Sequence, residues 1–301
     1  IRVPRASLVD FAPWGDGAFA RAAREEKLVL LHLSAPWSRH GRWMEENVYG
    51  DPACAELVKS RLVPVRADTD ARPELLERYH RGWPTTALLL PDRRLVVAGT
   101  AMSCPMFRAF IDVVRAGGMA KAVATAETEG RRPWRAVGPR PADAPYFPPW
   151  AELSAEGLPK ALKLEDPVWG GFYRYASDPA GEKPEYERLL ADQAAAVKAL
   201  SSLDPAAAKR TLAFVERFLA LPGGGYAASL DSEVVLADGR VMDGRAYFKL
   251  DDVRRRAYGL PRADARVFAG PNKAMAEATL AGAVATDAQK RHARLTLRRN
   301  R

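Results

Sequence analysis

The sequence holds two cysteines, Cys54 and Cys104, and they form neither a CxxC pair nor a cluster with metal-ligand spacing. A disulfide between them stays open at this level, but two buried free thiols are the expected state. No apolar run approaches the roughly 20 residues that span a bilayer. The longer stretches, such as Leu28 to Leu33 and Ala87 to Leu90, are strand-sized. The chain also lacks an initiating methionine. Its first residue, Ile1, points to a processed chain or a fragment; the compartment stays unknown from the sequence, with a periplasmic or secreted setting after signal removal slightly favoured over a cytoplasmic one. Nothing in the residue pattern calls for a cofactor or a metal.

What is present suffices for two domains. The chain has 301 residues, and 48% are apolar, enough to bury a sizeable core. The formal net charge is +9. Acids are interspersed through most of the chain, so an arginine-rich solvated surface is the plainer reading and nucleic acid is not favoured. The tail is the exception. Lys290, Arg291, Arg294, Arg298, Arg299 and Arg301 crowd it with no acid among them, which suits an acidic partner or a membrane surface.

Residues 1 to about 120 alternate strand and helix. Leu28 to Leu33, Leu62 to Ala67, Thr85 to Leu90 and Arg94 to Ala98 read as strands, with Pro64 implying an edge or irregular position. Asp51 is a good N-cap for a helix from Pro52 to Ser60, and further helices read over 42–49, 73–80 and 105–115. Such alternation predicts an α/β layer structure. Residues 121–150 are proline-rich from Pro133 onward and read as a linker. Residues 151–301 read as mostly helical, with long helices over 186–200 and 205–221.

A tryptophan follows the first central strand, in the segment Ser34, Ala35, Pro36, Trp37. Then come Ser38, Arg39, His40 and Gly41 at the start of a helix. Later, Gly82, Trp83, Pro84 and Thr85 precede a strand. In a thioredoxin fold these two elements face one another, and the second ends in a cis-proline. Residues 38–45 read SRHGRWME, followed by Val48, Tyr49, Asp51 and Pro52. The second half holds GGFYRY at 170–175, PEYERLLADQA at 184–194 and GGYAASLD at 224–231.

With these motifs the chain resembles the DUF255, or spermatogenesis-associated-protein-20-like, family over most of residues 10 to 260. The resemblance implies an α/β thioredoxin-like domain followed by an α-helical domain related to an (α/α)6 toroid. About 150 residues cannot supply a dozen helices of about 11–12 residues each, so a partial toroid is expected. The departures fall on the chemistry. Ser38 and Gly41 stand where the family's two cysteines belong, and Arg42 replaces the motif's second histidine. Glu185, Leu230 and Glu233 depart from the pattern in the second half. Without a thiol at Ser38 or Gly41 there is no thiolate nucleophile, so disulfide exchange through this loop is excluded.

Each remaining candidate has a plainer reading beside it. Ser38 and His40 invite a hydrolase reading, but an N-cap serine and a surface histidine fit better. His32 reads as a satisfied core or interface histidine, and Trp37, Trp43 and Trp83 as loop packing rather than a ligand stack. Asp192, Gln193 and Asp231 could be remnants of a sugar-type pocket, but polar residues of a helix surface are the slightly favoured reading. The function expected is a non-catalytic, redox-inactive scaffold or interaction subunit. Its degenerate loop is Trp37, Ser38, Gly41 and Pro84, and its partner contact lies on the helical domain, through Leu189, Leu190, Ala194 and Val197 with Leu212, Val215, Phe218 and Leu219. The alternative is an enzyme acting through that helical domain on a carbohydrate.

Overall fold

Alternating apolar residues at 28–33 and 62–67 do pair, inside a sheet of five strands. The computed structural model describes residues 1–79, 82–115, 118–129 and 144–299. The chain divides into two units, Pro4–Val137, and Gly138–Arg301 together with Ile1–Val3. No described helix is long and apolar enough to cross a membrane.

The first unit runs β1 (Ala12–Pro13), α1 (Asp16–Arg24), β2 (Leu28–Ser34), α2 (Arg39–Met44) and a π-helical turn (Glu45–Tyr49). It continues α3 (Pro52–Arg61), β3 (Leu62–Asp68), α4 (Pro73–Tyr79), β4 (Thr85–Leu89), β5 (Leu95–Gly99), α5 (Cys104–Arg115) and α6 (Gly118–Glu129). The strand order is β1-β3-β2-β4-β5, with β2 parallel to β3 and antiparallel to β4. Side chains of β2 alternate between two cores. Val29, Leu31 and Leu33 pack with Phe19, Leu75 and Tyr79, whereas Leu30 packs with Met44, Val58 and Phe107. This is a thioredoxin-like α/β sandwich. Pro64 is tolerated in an interior strand because β1 pairs only with Val65 and Arg66, so no partner needs its missing N–H.

Two expectations change here. Cys54 and Cys104 are not free thiols: they form a disulfide between α3 and α5, with Cα atoms 6.3 Å apart. The fold brings the first turns of two helices together across 50 residues of sequence, a proximity that spacing alone does not reveal. In addition, α6 carries helix through residues 121–129, nine residues into the expected linker, because Ala122 and Ala126 bury against the first core. The proline-rich remainder, 130–143, lies outside the described residues.

The second unit runs α7 (Leu158–Leu162), β6 (Tyr175–Ala176), β7 (Pro184–Glu185), β8 (Arg188–Leu189), α8 (Leu190–Leu203) and α9 (Pro205–Phe218). Then follow β9 (Ser229–Leu230), β10 (Val234–Val235), β11 (Val241–Met242), α10 (Gly244–Tyr247), α11 (Asp252–Tyr258), β12 (Ala263–Asp264), α12 (Ala269–Ala281) and α13 (Asp287–Arg299). Four long helices dominate: α8 packs on α9 and α12, and α12 packs on α13. The helix expected from Tyr186 starts four residues later, because β8 pairs with β9 and holds Arg188 and Leu189 extended. The apolar face expected to stand open is closed. Leu190, Ala194 and Val197 of α8 and Leu212, Val215 and Leu219 pack with Tyr226, Met275 and Phe248 in one core. The unit thus buries these side chains within itself.

Candidate functional site

The loop after β2 is organised by its own small residues. Ser38 has extended backbone and caps α2, its hydroxyl accepting from the Gly41 N–H at 3.0 Å. Arg42 donates to the Pro36 carbonyl at 2.7 Å and ties the loop from the other side. The facing loop carries a cis Trp83–Pro84 bond ahead of β4, as the motif implies. Trp37 and Trp83 stack with centroids 5.0 Å apart and planes 16° apart, and Trp37 Nε1 donates to Asp70 at 2.8 Å. The structure therefore places Trp37, Ser38, Gly41 and Pro84 on two loops joined by this stack.

A side chain at Gly41 needs the Ser34 hydroxyl to rotate away. A Cβ there would collide with Ser34 Oγ, and would stand 3.1 Å from Ser38 Oγ and 3.2 Å from Ser34 Cβ. The space beside the capping serine is filled by a second serine from the end of β2.

Beneath the sheet, His32 is fully buried, and Tyr49 OH lies 3.3 Å from its Nδ1. Burial, aided by the Arg66 charge, pushes the imidazole down to about 3, so it stays neutral. It is a core histidine.

In the second unit the three suggested pocket residues take different parts. Gln193 is buried, and its amide clamps one residue: Oε1 accepts from Phe172 N and Nε2 donates to Phe172 O, both at 2.8 Å. Asp231 orders a turn, Oδ1 accepting from Glu233 N at 3.1 Å. Asp192 lies in the first turn of α8. Its Oδ2 is shielded from solvent and has no hydrogen-bond partner among the described residues. Burial raises this carboxyl to about 6 against the opposing pull of Arg174. Glu233, one of the departures from the family pattern, forms a two-point pair with Arg2 at 2.8 and 3.0 Å.

Sequence reasoning missed the centre of this unit. Asp166, fully buried Arg188 and fully buried Arg255 meet there, with Arg255 holding Asp166 at 2.7 and 3.1 Å and Arg188 closing on Oδ2. Phe214, Phe248 and Tyr173 crowd the Arg188 guanidinium at 4.7, 4.8 and 4.9 Å. Burial would raise the Asp166 carboxyl, but the charge of Arg188 and the hydrogen bonds of Arg255 and Val168 N hold it below the usual range. The signal was weak because Arg188 sits in a segment dense with ordinary surface charges.

Two surfaces of the second unit stand out. Between α8 and α12 runs a cavity of about 670 Å³, lined by Ala195, Ala199, Ala274, Ala278 and the edge of Trp150. On α13, Arg291, Arg294 and Arg298 are exposed at helical spacing, and no ion pair to them occurs among the described residues. Arg299 donates to the carbonyls of Gly223 and Gly224 at 2.7 and 3.0 Å. Lys290 is half-buried, and Arg301 lies outside the described residues.

Comparison with known proteins places the first unit. Residues 2–116 match the family model Thioredox_DsbH, described as a protein of unknown function, DUF255. An uncharacterised protein of Caenorhabditis elegans is 27% identical over 101 residues, which are 31% of this chain and 14% of that protein. Spermatogenesis-associated protein 20 of Homo sapiens is 29% identical over 101 residues, 31% of this chain and 13% of that protein. The match thus spans about a seventh of these relatives' length. Among solved structures, a thioredoxin from Thermus thermophilus is 23% identical and covers 37% of this chain and 91% of its own, with a TM-score of 0.34. A DsbH oxidoreductase is 11% identical over 36% of this chain and 85% of its own, with a TM-score of 0.33. The DUF255 resemblance stands for residues 2–116.

Proposed function

We propose that this chain is a non-catalytic, redox-inactive interaction subunit: a thioredoxin-like domain without a working thiol pair, joined to a partial (α/α) toroid that carries the partner contact. One observation carries the reading. The place of the second thiol is vacated at Gly41, and the Ser34 hydroxyl turns into the space a Cβ there would take. The open groove between the alanine faces of α8 and α12 supports a protein contact there, since small side chains let a further helix approach closely. The exposed arginines of α13 would steer an acidic partner or membrane surface toward the same unit.

The test compares three proteins in native pull-down and on a sizing column: wild type, a groove variant (Ala195→Glu with Ala199→Glu) and a loop variant (Ser38→Ala). Release of a stoichiometric partner by the groove variant alone supports the reading. Release by the loop variant alone, or wild-type protein running alone, overturns it. Insulin disulfide reduction by the pure protein would end the redox-inactive part.

A second reading keeps an enzyme in the helical unit, acting on a carbohydrate. The Asp192 carboxyl, whose Oδ2 is shielded and without a hydrogen-bond partner among the described residues, is what favours it, as a general acid. Bound sugar that protects the unit from unfolding, lost in Asp192→Asn, would favour this reading over the first.

A further inference from the structure

The two cysteines share their corner of the first unit with a carboxylate. Cys54 lies in the first turn of α3 and is fully buried, whereas Cys104 opens α5 and is half-buried. Asp51 caps α3, its Oδ1 accepting from Cys54 N at 2.9 Å, and the same oxygen lies 3.5 Å from Cys104 Sγ. Both sulfurs and this carboxylate fall within 4.8 Å of one another.

The reduced state makes that carboxylate consequential. A dithiol or phosphine reductant supplies two electrons to the S–S bond, and two protons complete the thiols. Both sulfurs then lie at helix N-termini, which favour thiolate. Asp51 opposes this, because ionising both thiols would gather three negative charges around a corner closed on the Cys54 side. A divalent cation resolves the conflict by replacing the two thiol protons.

We propose that, when reduced, Asp51, Cys54 and Cys104 form a binding site for one soft divalent cation of the zinc class, and that oxidation to the disulfide closes it. Two thiolates and a carboxylate oxygen are a recognised donor set for such an ion, and a water entering from the half-exposed Cys104 side completes a tetrahedron. Zinc–sulfur distances of about 2.3 Å at tetrahedral angles set the sulfurs about 3.8 Å apart. The Cα separation of 6.3 Å accommodates this by side-chain rotation, without moving either helix. The site is read from the fold, since Asp51 and Cys54 stand 50 or more residues from Cys104.

Cadmium is the probe, because cadmium bound to thiolate absorbs in the ultraviolet. Protein reduced with a phosphine and desalted without oxygen is titrated with Cd(II). The expected result is a charge-transfer band that saturates at one ion per chain, absent from the oxidised protein and from Cys54→Ser. Should Cys54→Ser fail to fold, Cys104→Ser, at the more exposed position, replaces it. Asp51→Asn keeps a capping side chain but removes the charge. It should keep the band and weaken binding at least about tenfold. Reoxidation should release the ion to a chromogenic chelator. Absence of a saturable band in reduced protein overturns the proposal, and so does unchanged affinity in Asp51→Asn.

Discussion

The hydroxyl of Ser34 occupies the space that a side chain at Gly41 would need. The two residues belong to different elements, the end of β2 and the first turns of α2, and their packing is mutual. Restoring cysteine at 41 therefore requires Ser34 to give way. Gly41→Cys should cost about 1–3 kcal/mol of stability as an overpacked core change. Adding Ser34→Ala should recover most of that loss. Urea denaturation of the single and double variants checks this, and equal midpoints for the two would refute the steric account.

Asp166 holds two buried guanidinium groups. Replacing it with alanine leaves both charges dry and unpaired, and should cost about 3–5 kcal/mol or prevent folding of the second unit. The pH dependence has a definite sign. The folded carboxyl titrates below its ordinary value of about 3.9, so its contribution is intact above that pH and is lost as the pH falls through the lower folded value. Acid unfolding followed by near-ultraviolet circular dichroism, with Asp166→Asn as comparison, reads this directly.

Asp192 has the opposite sign. Its folded carboxyl is raised to about 6, so the protein binds a proton there that the unfolded chain has released. Stability from this group falls as the pH rises from about 4 to 6. Asp192→Asn should stabilise at pH 7.5 by on the order of 1 kcal/mol and flatten that slope. A variant less stable than wild type at that pH would show that Asp192 makes a needed ionic contact.

Gln193→Ala removes both hydrogen bonds to the Phe172 backbone. It should cost about 1–3 kcal/mol, the penalty of leaving a buried N–H and C=O unpaired. A melting temperature unchanged from wild type would return Gln193 to the list of ligand-binding candidates.

Features that depend on neighbours in sequence were legible. The Asp51 cap, Pro52 behind it and the four strands β2 to β5 follow from local pattern, whereas the short β1 did not show in the sequence and the cis Pro84 came from the thioredoxin resemblance. Features made by distant pairing were not. Cys54 meets Cys104 because α3 and α5 converge on one core, and α8 starts late because Arg188 and Leu189 are claimed by β9. The long helices were expected to leave Leu190 and Leu212 uncovered, but Met275 and Phe248, far along the chain, cover them. Of the site residues, Ser38 and Gly41 were recognised from the motif alone. The crowding by Ser34 was not, since it needs the register of β2 against the helix.

The Asp166 pairing also says how the second unit can be dissected. Arg188 lies 22 residues from Asp166 and Arg255 lies 89 residues from it. The dry pocket exists only when both segments have returned to Asp166, so forming it requires closing a long loop. A piece of the chain ending before Arg255 would carry Asp166 and Arg188 with part of their shelter missing and both hydrogen bonds from Arg255 to the carboxylate lost. Cleavage between 166 and 255 followed by separation of the two pieces would therefore part the carboxylate from at least one of its guanidinium partners.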